Sequence, residues 1–319
     1  MTSRASTRAR AALLSVGLAL AAAQPACGPK AEPKKVEVDP GAYWQDVFDG
    51  TPEVLFYAKP AALKRDPVYG ELAKSSFRSA IARGVPGELS QMRVLEDADE
   101  VIMGAGARSG GGVLVVRGVK AGHDPAKVSE GRSPLWHLAK EGRVKEYVRT
   151  DPASDAGLWV LPDRTWVVVF GAARERARQA FATPQKRPEP AIDRSSLVSF
   201  RVDGPSLVQR IPGLSRGRLA KVGGKLTALT LLVRPEKQGV EIRLEYADDE
   251  STAWSERSIE QILDAFKNDP KKRWDFLKDA KLRRDPTAVV VQVQLPPQLL
   301  EALPRATGAE VDPGGYPAQ

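Results

Sequence analysis

The residues that could perform acyl-transfer chemistry in this sequence centre on Ser215. The segment GLSRG at 213–217 matches the G-x-S-x-G pattern, which in serine hydrolases presents the nucleophile on a sharp turn between a strand and a helix. Such a serine needs a histidine base beside it, and the two histidines of the chain, His123 and His137, both lie upstream. Pro212 stands directly before the motif and a glycine pair follows it. These residues predict neither the strand that should precede the serine nor the helix that should follow it. We therefore interpret Ser215 as part of a surface loop and keep an exported serine hydrolase as the alternative.

Patterns typical of cofactor and metal sites are incomplete. The glycines of 104–110 approach the dinucleotide-binding spacing, but the third falls one residue late and the stretch leads into a second strand. Cys27 is the only cysteine, which excludes an internal disulfide and a thiolate zinc site. The two histidines lack a third ligand at metal-binding spacing, and the acidic residues of 96–100 lack the ladder of a calcium loop. We expect no catalytic residues, no metal, no cofactor and no enzymatic activity.

The segment 267–285 carries the strongest surface signal. It reads KNDPKKRWDFLKDAKLRRD and holds eight basic and four acidic residues. A basic helix with aromatic residues can contact anionic lipid headgroups or an acidic envelope polymer. The residues expected to make that contact are Lys271, Lys272, Arg273, Trp274, Arg283 and Arg284. The favoured interpretation is a solvated charged helix whose Trp274 and Leu277 pack on a sheet, because charge runs usually form solvated faces.

The amino-terminal segment has the layout of a secretory signal peptide. Arg4, Arg8 and Arg10 precede an uncharged apolar run over 11–23. A helix of that length spans about 20 Å, which is too short for a hydrocarbon core of about 30 Å. Cleavage after Ala23 would satisfy the small-residue rule and would leave Cys27 as a free thiol.

The residues around Cys27 support a second interpretation. Pro25-Ala26-Cys27-Gly28 resembles the lipobox of bacterial lipoproteins, and the resemblance covers about the first thirty residues. It implies that the new amino-terminal cysteine is diacylated through sulfur and acylated on its amine. Glycine rather than aspartate after the cysteine implies sorting to the outer membrane. We therefore expect a lipid-anchored protein of the cell envelope, facing the periplasm or the exterior, with a soluble periplasmic or secreted protein as the alternative.

The remaining composition is that of a globular protein with a tether. The segment 28–40 holds three prolines and almost no apolar residue, so it cannot bury a core. Without the three arginines of the leader, 45 basic residues face 40 acidic ones, a mild excess of +5. This excess does not indicate nucleic acid, which we do not expect as a partner. The expected partners are the membrane, through the lipid anchor, and an unknown envelope protein or ligand.

Two pairs of similar sequence segments predict an internal duplication. VLFYAKPAALKRDP at 54–67 and SFRVDGPSLVQRIP at 199–212 both read as an apolar strand followed by P-x4-R-x-P. DRTWVVV at 163–169 and DPTAVVV at 285–291 both read D-x-T-x-V-V-V. The two pairs occur in the same order, which favours duplication. The first unit is the longer one, and we place its extra hairpin strand within 142–161.

The elements between these segments predict a β-α-β-β-α-β order, clear in the first unit and with a degenerate first helix in the second. The first unit has a helix over 67–83, strands over 100–107 and 113–119, a helix that starts at Asp124-Pro125 and carries Leu135, Trp136 and Leu138, and a strand over 165–170. The second unit has strands over 226–234 and 240–246, a long amphipathic helix marked by Trp254, Ile259, Ile262, Leu263 and Phe266, and a strand over 289–293.

The expected fold class is therefore α+β, with two tandem ferredoxin-like repeats, each an antiparallel sheet with helices packed on one face. The predicted boundaries are a signal peptide over 1–26, a tether over 27–43, repeat 1 over 44–182, a proline-rich linker over 183–195, repeat 2 over 196–303 and a disordered tail over 304–319. The cleft between the repeats is the default ligand site.

Overall fold

A computed structural model provides the structure of the chain. It describes residues 42–48, 50–70, 94–106, 111–130, 133–210, 224–235, 239–268 and 275–294. The predicted helix over 67–83 lies largely outside these residues, as do the signal peptide, most of the tether and the tail.

The fold is dominated by one antiparallel sheet of twelve strands. Its order is β13-β14-β12-β11-β10-β1-β2-β3-β9-β8-β7-β6, and β4 and β5 form a separate two-stranded pair. The strands are β1 (Val54–Ala58), β2 (Glu100–Gly106), β3 (Gly111–Arg117), β4 (Ser129–Glu130), β5 (Ser133–Pro134), β6 (Trp136–Lys140), β7 (Lys145–Arg149), β8 (Gly157–Val160), β9 (Trp166–Gly171), β10 (Val198–Asp203), β11 (Leu226–Val233), β12 (Val240–Tyr246), β13 (Lys281–Asp285) and β14 (Ala288–Val293).

The predicted pair of ferredoxin-like repeats is wrong. Strands β1 and β10 pair directly along their length, from Val54 opposite Val202 to Ala58 opposite Val198, so the chain builds a single continuous sheet. A split β-α-β unit would also place another strand between its first two strands. In the described sheet the first two strands of each predicted unit are direct neighbours instead, because β1 pairs with β2 and β10 pairs with β11.

The strands on the two sides of the β1–β10 pair follow in the same order. Moving outward, one side runs β1-β2-β3-β9-β8 and the other runs β10-β11-β12-β14-β13. We call the strands up to β9 the first half and those from β10 the second half. The two D-x-T-x-V-V-V segments fall at matching places, because each covers an outer hairpin turn and the strand after it. Strands β6 and β7 extend the first half only, so the extra hairpin begins earlier than the predicted 142–161.

Helices are few in the described part of the chain. They are α1 (Pro60–Leu63), α2 (Val94–Asp97), α3 (Ala173–Ala182), α4 (Gly204–Arg210) and α5 (Asp249–Lys267). The long helix predicted around Trp254 is confirmed as α5, and the Asp248 carboxylate caps it by accepting a hydrogen bond from the Ser251 amide at 2.8 Å. No described helix has both the length and the apolar character needed to cross a bilayer.

The helix predicted from Asp124-Pro125 is wrong. Only a single 3-10 turn forms there, at Pro125–Lys127, and Trp136 and Leu138 lie on β6. Strand β6 pairs with β7, with a bulge near Leu138. The apolar pattern here is short enough to fit either a helix or a strand, and the pairing with β7 determines that it forms a strand.

The two faces of the sheet differ between the halves. The front face, which carries Phe56, Phe200 and Val289, is apolar in both halves and forms the larger core. The back face of the first half is also apolar, and α3 covers it together with the segment 42–48. On the second half, the back face carries Arg201, Arg243 and other charged side chains at alternate strand positions. The first half therefore has an apolar, buried surface on both faces, whereas the back face of the second half is polar and only partly buried.

Candidate functional site

A cleft of about 840 Å³ lies on the back of the first half, beside the added hairpin. Its walls come from three places: the β6–β7 turn, the carboxyl-terminal end of α3, and the segment 184–186, which follows that helix. We call it the basic cleft, because its charged lining residues are Lys140, Arg143, Arg178, Lys186 and Glu146.

The charges of the basic cleft are unbalanced. Four cations face one carboxylate, and Glu146 is already engaged by Arg178, with 3.0 Å between Oε1 and Nη2. Among the described residues, neither Lys140 nor Lys186 has a carboxylate within ion-pair distance. Like charges gathered in a concave site create a positive potential that attracts an anion.

The rest of the lining of the basic cleft is aromatic and apolar. Trp159, only 2% exposed, presents an edge from β8, and its ring centroid lies 6.0 Å from that of Phe181. Tyr43 completes this part of the lining, and the ammonium of Lys186 sits 5.7 Å from the centre of its ring. An ammonium at this distance from an aromatic face is attracted by the ring quadrupole, which orients Lys186 along the cleft.

The sequence of α3 explains how one helix serves both core and cleft. Ala173, Ala177 and Phe181 recur every fourth residue and therefore share one face, which packs toward the sheet. Arg178 lies on the neighbouring face and reaches Glu146 on β7. The helix thus fixes its arginine against the added hairpin while its last aromatic residue forms part of the cleft wall.

A buried carboxylate holds in place the wall of the cleft that the segment 184–186 forms. Asp46 is 2% exposed, and its two oxygens accept hydrogen bonds from three successive backbone amides: Gln185 at 2.7 Å, Lys186 at 3.1 Å and Arg187 at 2.6 Å. Lys186 has φ of 52°, the left-handed region that non-glycine residues seldom occupy. Three converging amides form a concave anion site, and the Asp46 carboxylate fills it. We call this arrangement the Asp46 latch.

A second polar cluster joins the linker to the sheet. The Tyr57 hydroxyl donates to Glu100 at 2.9 Å, and Arg194 donates to the same carboxylate at 3.1 Å, while Arg117 pairs with its other oxygen. Burial would raise the pKa of Glu100, but Arg117, the tyrosine hydroxyl and Arg194 outweigh burial and hold that pKa below its usual range. Burial, and then the charge of Glu100, raise the pKa of Tyr57. Both oxygens of Glu100 already have partners within the cluster, which is typical of a structural contact between the linker and the sheet.

The charged back face of the second half is also internally paired. Arg234 reaches Asp193 at 2.8 Å, Arg243 reaches Asp285 at 3.1 Å, and Arg201 reaches Glu245 at 3.6 Å. Because its arginines already have carboxylate partners, this face offers an anion less than the basic cleft does.

The residues predicted for chemistry are mostly outside the described residues: Cys27, Ser215, Lys271, Lys272, Arg273 and Trp274. The other two, Arg283 and Arg284, lie on the edge strand β13 rather than on the helix predicted there. Neighbours in a strand point to opposite faces. Arg283 accordingly pairs with Asp285, while Arg284 pairs with Asp249 and Glu256, so the two do not form one basic surface.

The two histidines occupy unrelated positions. His123 lies half-buried in the loop before the 3-10 turn, and His137 is exposed on β6. No group of three metal-ligating side chains occurs among the residues that the structure describes. The described lining of the basic cleft contains no serine, cysteine or histidine. What it offers is cations and aromatic rings, which together can hold an anion.

Comparisons with known proteins give matches in structure only. No protein-family model matches the chain, and no curated protein does. The structure of crystal form I of TP0453 matches with a TM-score of 0.49 and 13% identity, over 85% of this chain and 98% of that one. Crystal form IV of the same protein matches with a TM-score of 0.48 and 14% identity, over 84% and 97%.

Proposed function

We propose that the protein is a non-enzymatic binding module of the cell envelope, anchored through lipid on Cys27, which holds an anionic ligand in the basic cleft. The observation that carries the binding function is the charge of the cleft, where Lys140 and Lys186 lack a carboxylate among the described residues. The anchor is supported by the leader and by the lipobox-like residues around Cys27.

An anion in the cleft would relieve the repulsion between its cations. At an effective dielectric of about 20, unit charges about 4 Å apart interact by about 4 kcal/mol, and surface exposure and salt reduce this strongly. A bound anion replaces several unfavourable pairs with favourable ones, so we expect affinity to fall as salt rises. The Asp46 latch supports this function because it fixes Lys186 on its wall before any ligand arrives.

The binding experiment uses pyrophosphate, a compact polyanion, with the full chain carrying Cys27→Ser. Titration calorimetry should detect binding that weakens by about tenfold in Lys140→Glu/Lys186→Glu, because two attractive charges become repulsive. Lys281→Glu, an exposed lysine on β13, is the matched control and should bind as the parent does. Equal affinity in the double variant and the parent would contradict the assignment of the cleft.

The anchor has its own experiment. The intact mass of the amino-terminal segment is measured in wild type and Cys27→Ser from cells that express the protein. A lipid-sized increment on a chain that starts at Cys27, absent from the variant, is expected. A chain that starts at Gln24 without lipid would remove the anchor from the proposal and leave a soluble exported binding protein.

A further inference from the structure

We infer that the ligand of the basic cleft is an amphipathic anion: a carboxylate, phosphate or sulfonate group joined to an aromatic ring or an acyl chain. This inference rests on the proposed function, because it names the chemical class that the same cleft takes. It follows from the composition of the lining, since cations and apolar or aromatic side chains line the same cleft.

The cationic wall is presented by the added hairpin. Lys140 ends β6 and Arg143 lies in the turn before β7, and both side chains are exposed at the mouth of the cleft. Lys186 contributes from a different part of the chain, on the segment that the Asp46 latch holds. An anionic group between these two walls contacts cations from both, which compact charged headgroups such as carboxylate and phosphate satisfy.

The apolar wall has surface left to cover. Tyr43, Val144 and Phe181 all line the cleft while only half-buried, and Val144 and Phe181 pack against the back-face core. Covering exposed apolar area is favourable because it removes that area from water. A small inorganic anion would pair with the lysines and leave these apolar side chains exposed to water. A ligand with an apolar part attached to its charge would use both walls.

The two kinds of contact require each other. An uncharged apolar ligand would desolvate Lys140 and Lys186 without giving them a partner, which costs free energy. A purely charged ligand would gain only screened attraction at an open site. The cleft therefore favours molecules that join the two properties over molecules that have either one alone.

The experiment compares three probes on the full chain carrying Cys27→Ser. Anilinonaphthalene sulfonate carries an aromatic system and a negative charge, phenylnaphthylamine carries a similar ring system without the charge, and pyrophosphate carries charge without an apolar part. We expect the sulfonate dye to bind at one site and at least about tenfold more tightly than either other probe.

Three variants locate the binding. Lys140→Glu/Lys186→Glu should weaken the sulfonate dye about tenfold, and Phe181→Leu, which keeps an apolar side chain but removes the ring, should weaken it about threefold. The control Lys281→Glu should leave binding unchanged. Urea unfolding of each variant separates lost binding from lost folding.

The outcomes distinguish this inference from the function on which it rests. If both dyes bind equally, or if the sulfonate dye ignores the lysine variants, the inference is overturned. If in addition pyrophosphate still depends on the two lysines, the cleft remains an anion site and the proposed function stands. If neither pyrophosphate nor the sulfonate dye depends on the two lysines, both fall.

Two sources could supply such a ligand, and displacement of the dye separates them. Oleate below its micelle concentration stands for a free amphiphile, and vesicles of phosphatidylglycerol and phosphatidylcholine stand for a bilayer headgroup. Displacement by oleate alone supports a diffusible ligand, and displacement by the vesicles supports a membrane lipid. If neither displaces the dye while pyrophosphate does, the amphipathic class is refuted.

Discussion

Replacing Asp46 by asparagine removes the charge from the latch while leaving its size unchanged. The aspartate oxygens accept from the amides of Gln185, Lys186 and Arg187 at distances of 2.6 to 3.1 Å, and the group is buried. Asparagine keeps one carbonyl oxygen and places an amino group where the other oxygen stood. That amino group is a donor, so it must face at least one backbone donor.

The expected loss in the free energy of unfolding follows from this count. A hydrogen bond to a charged group contributes about 1.5–3 kcal/mol and a neutral one about 0.5–1.5 kcal/mol. In the more favourable orientation the asparagine oxygen serves two of the three amides and leaves one unsatisfied. Three charge-assisted bonds and two neutral ones differ by about 5 kcal/mol at the middle of these ranges. Relaxation of the loop recovers part of this difference, so the expected destabilisation is about 2–4 kcal/mol.

Urea unfolding of Asp46→Asn and of the parent measures that loss. Hydrogen exchange localises it, because the amides of Gln185, Lys186 and Arg187 should lose protection before the sheet does. Asp151→Asn is the matched control, since its carboxylate accepts from the Ala153 amide at 3.0 Å in an exposed turn. A change within about 0.5 kcal/mol for Asp46→Asn, with the three amides still protected, would refute the reasoning about the latch.

Three further predictions concern the sheet. Tyr69→Phe removes a hydroxyl that donates to the Gly239 carbonyl and accepts from its amide, both at 2.8 Å, so urea unfolding should show a loss of about 1–3 kcal/mol. Burial raises the pKa of Tyr69 to about 12, so this link should persist through mildly alkaline pH, which the exchange of the Gly239 amide can check. Gly204→Ala should destabilise by at least about 1–3 kcal/mol in the same assay, because a Cβ there would lie 1.6 Å from a β11 carbonyl oxygen. Glu100 has its pKa lowered by Arg117 despite burial, so its contribution to stability is full above the ordinary glutamate pKa of about 4.3 and is lost as pH falls through the lower folded value. Glu100→Gln should therefore be less stable at neutral pH and lose less stability on acidification, and a steeper acid loss than in the parent would contradict this.

Local patterns in the sequence predicted the strands well and their assembly poorly. The hairpins of β2 with β3 and of β11 with β12 follow from apolar runs separated by turn residues, and the structure confirms them. The pairing of β1 with β10 has no such signal, because it joins segments far apart in the chain, and alternation says only that a strand has a buried face. Without that pair, each half reads as a complete sheet of its own, which led to two separate repeats.

The candidate site could not be predicted from the sequence for a related reason. Lys140, Arg143, Arg178 and Lys186 stand among other charged residues in polar stretches, and each alone is typical of a solvated surface residue. Their convergence depends on β6 and β7 forming a hairpin at the sheet edge, where the sequence instead predicts a helix. The role of Asp46 could not be predicted either, because its partners are backbone amides, which nearly every residue type has.

The position of the basic cleft follows from the difference between the two halves. Both share the strand order outward from the central pair, but only the first continues into β7 and β6. That addition supplies Lys140 and Arg143, and α3 covers the neighbouring back face and supplies Arg178. The second half, without this hairpin, uses its back-face arginines in pairs with its own carboxylates. A site that required only the shared strands would be expected twice. One that depends on the added hairpin is not expected in the second half, so removing the ligand-binding role from the protein should require changing only residues that precede β10.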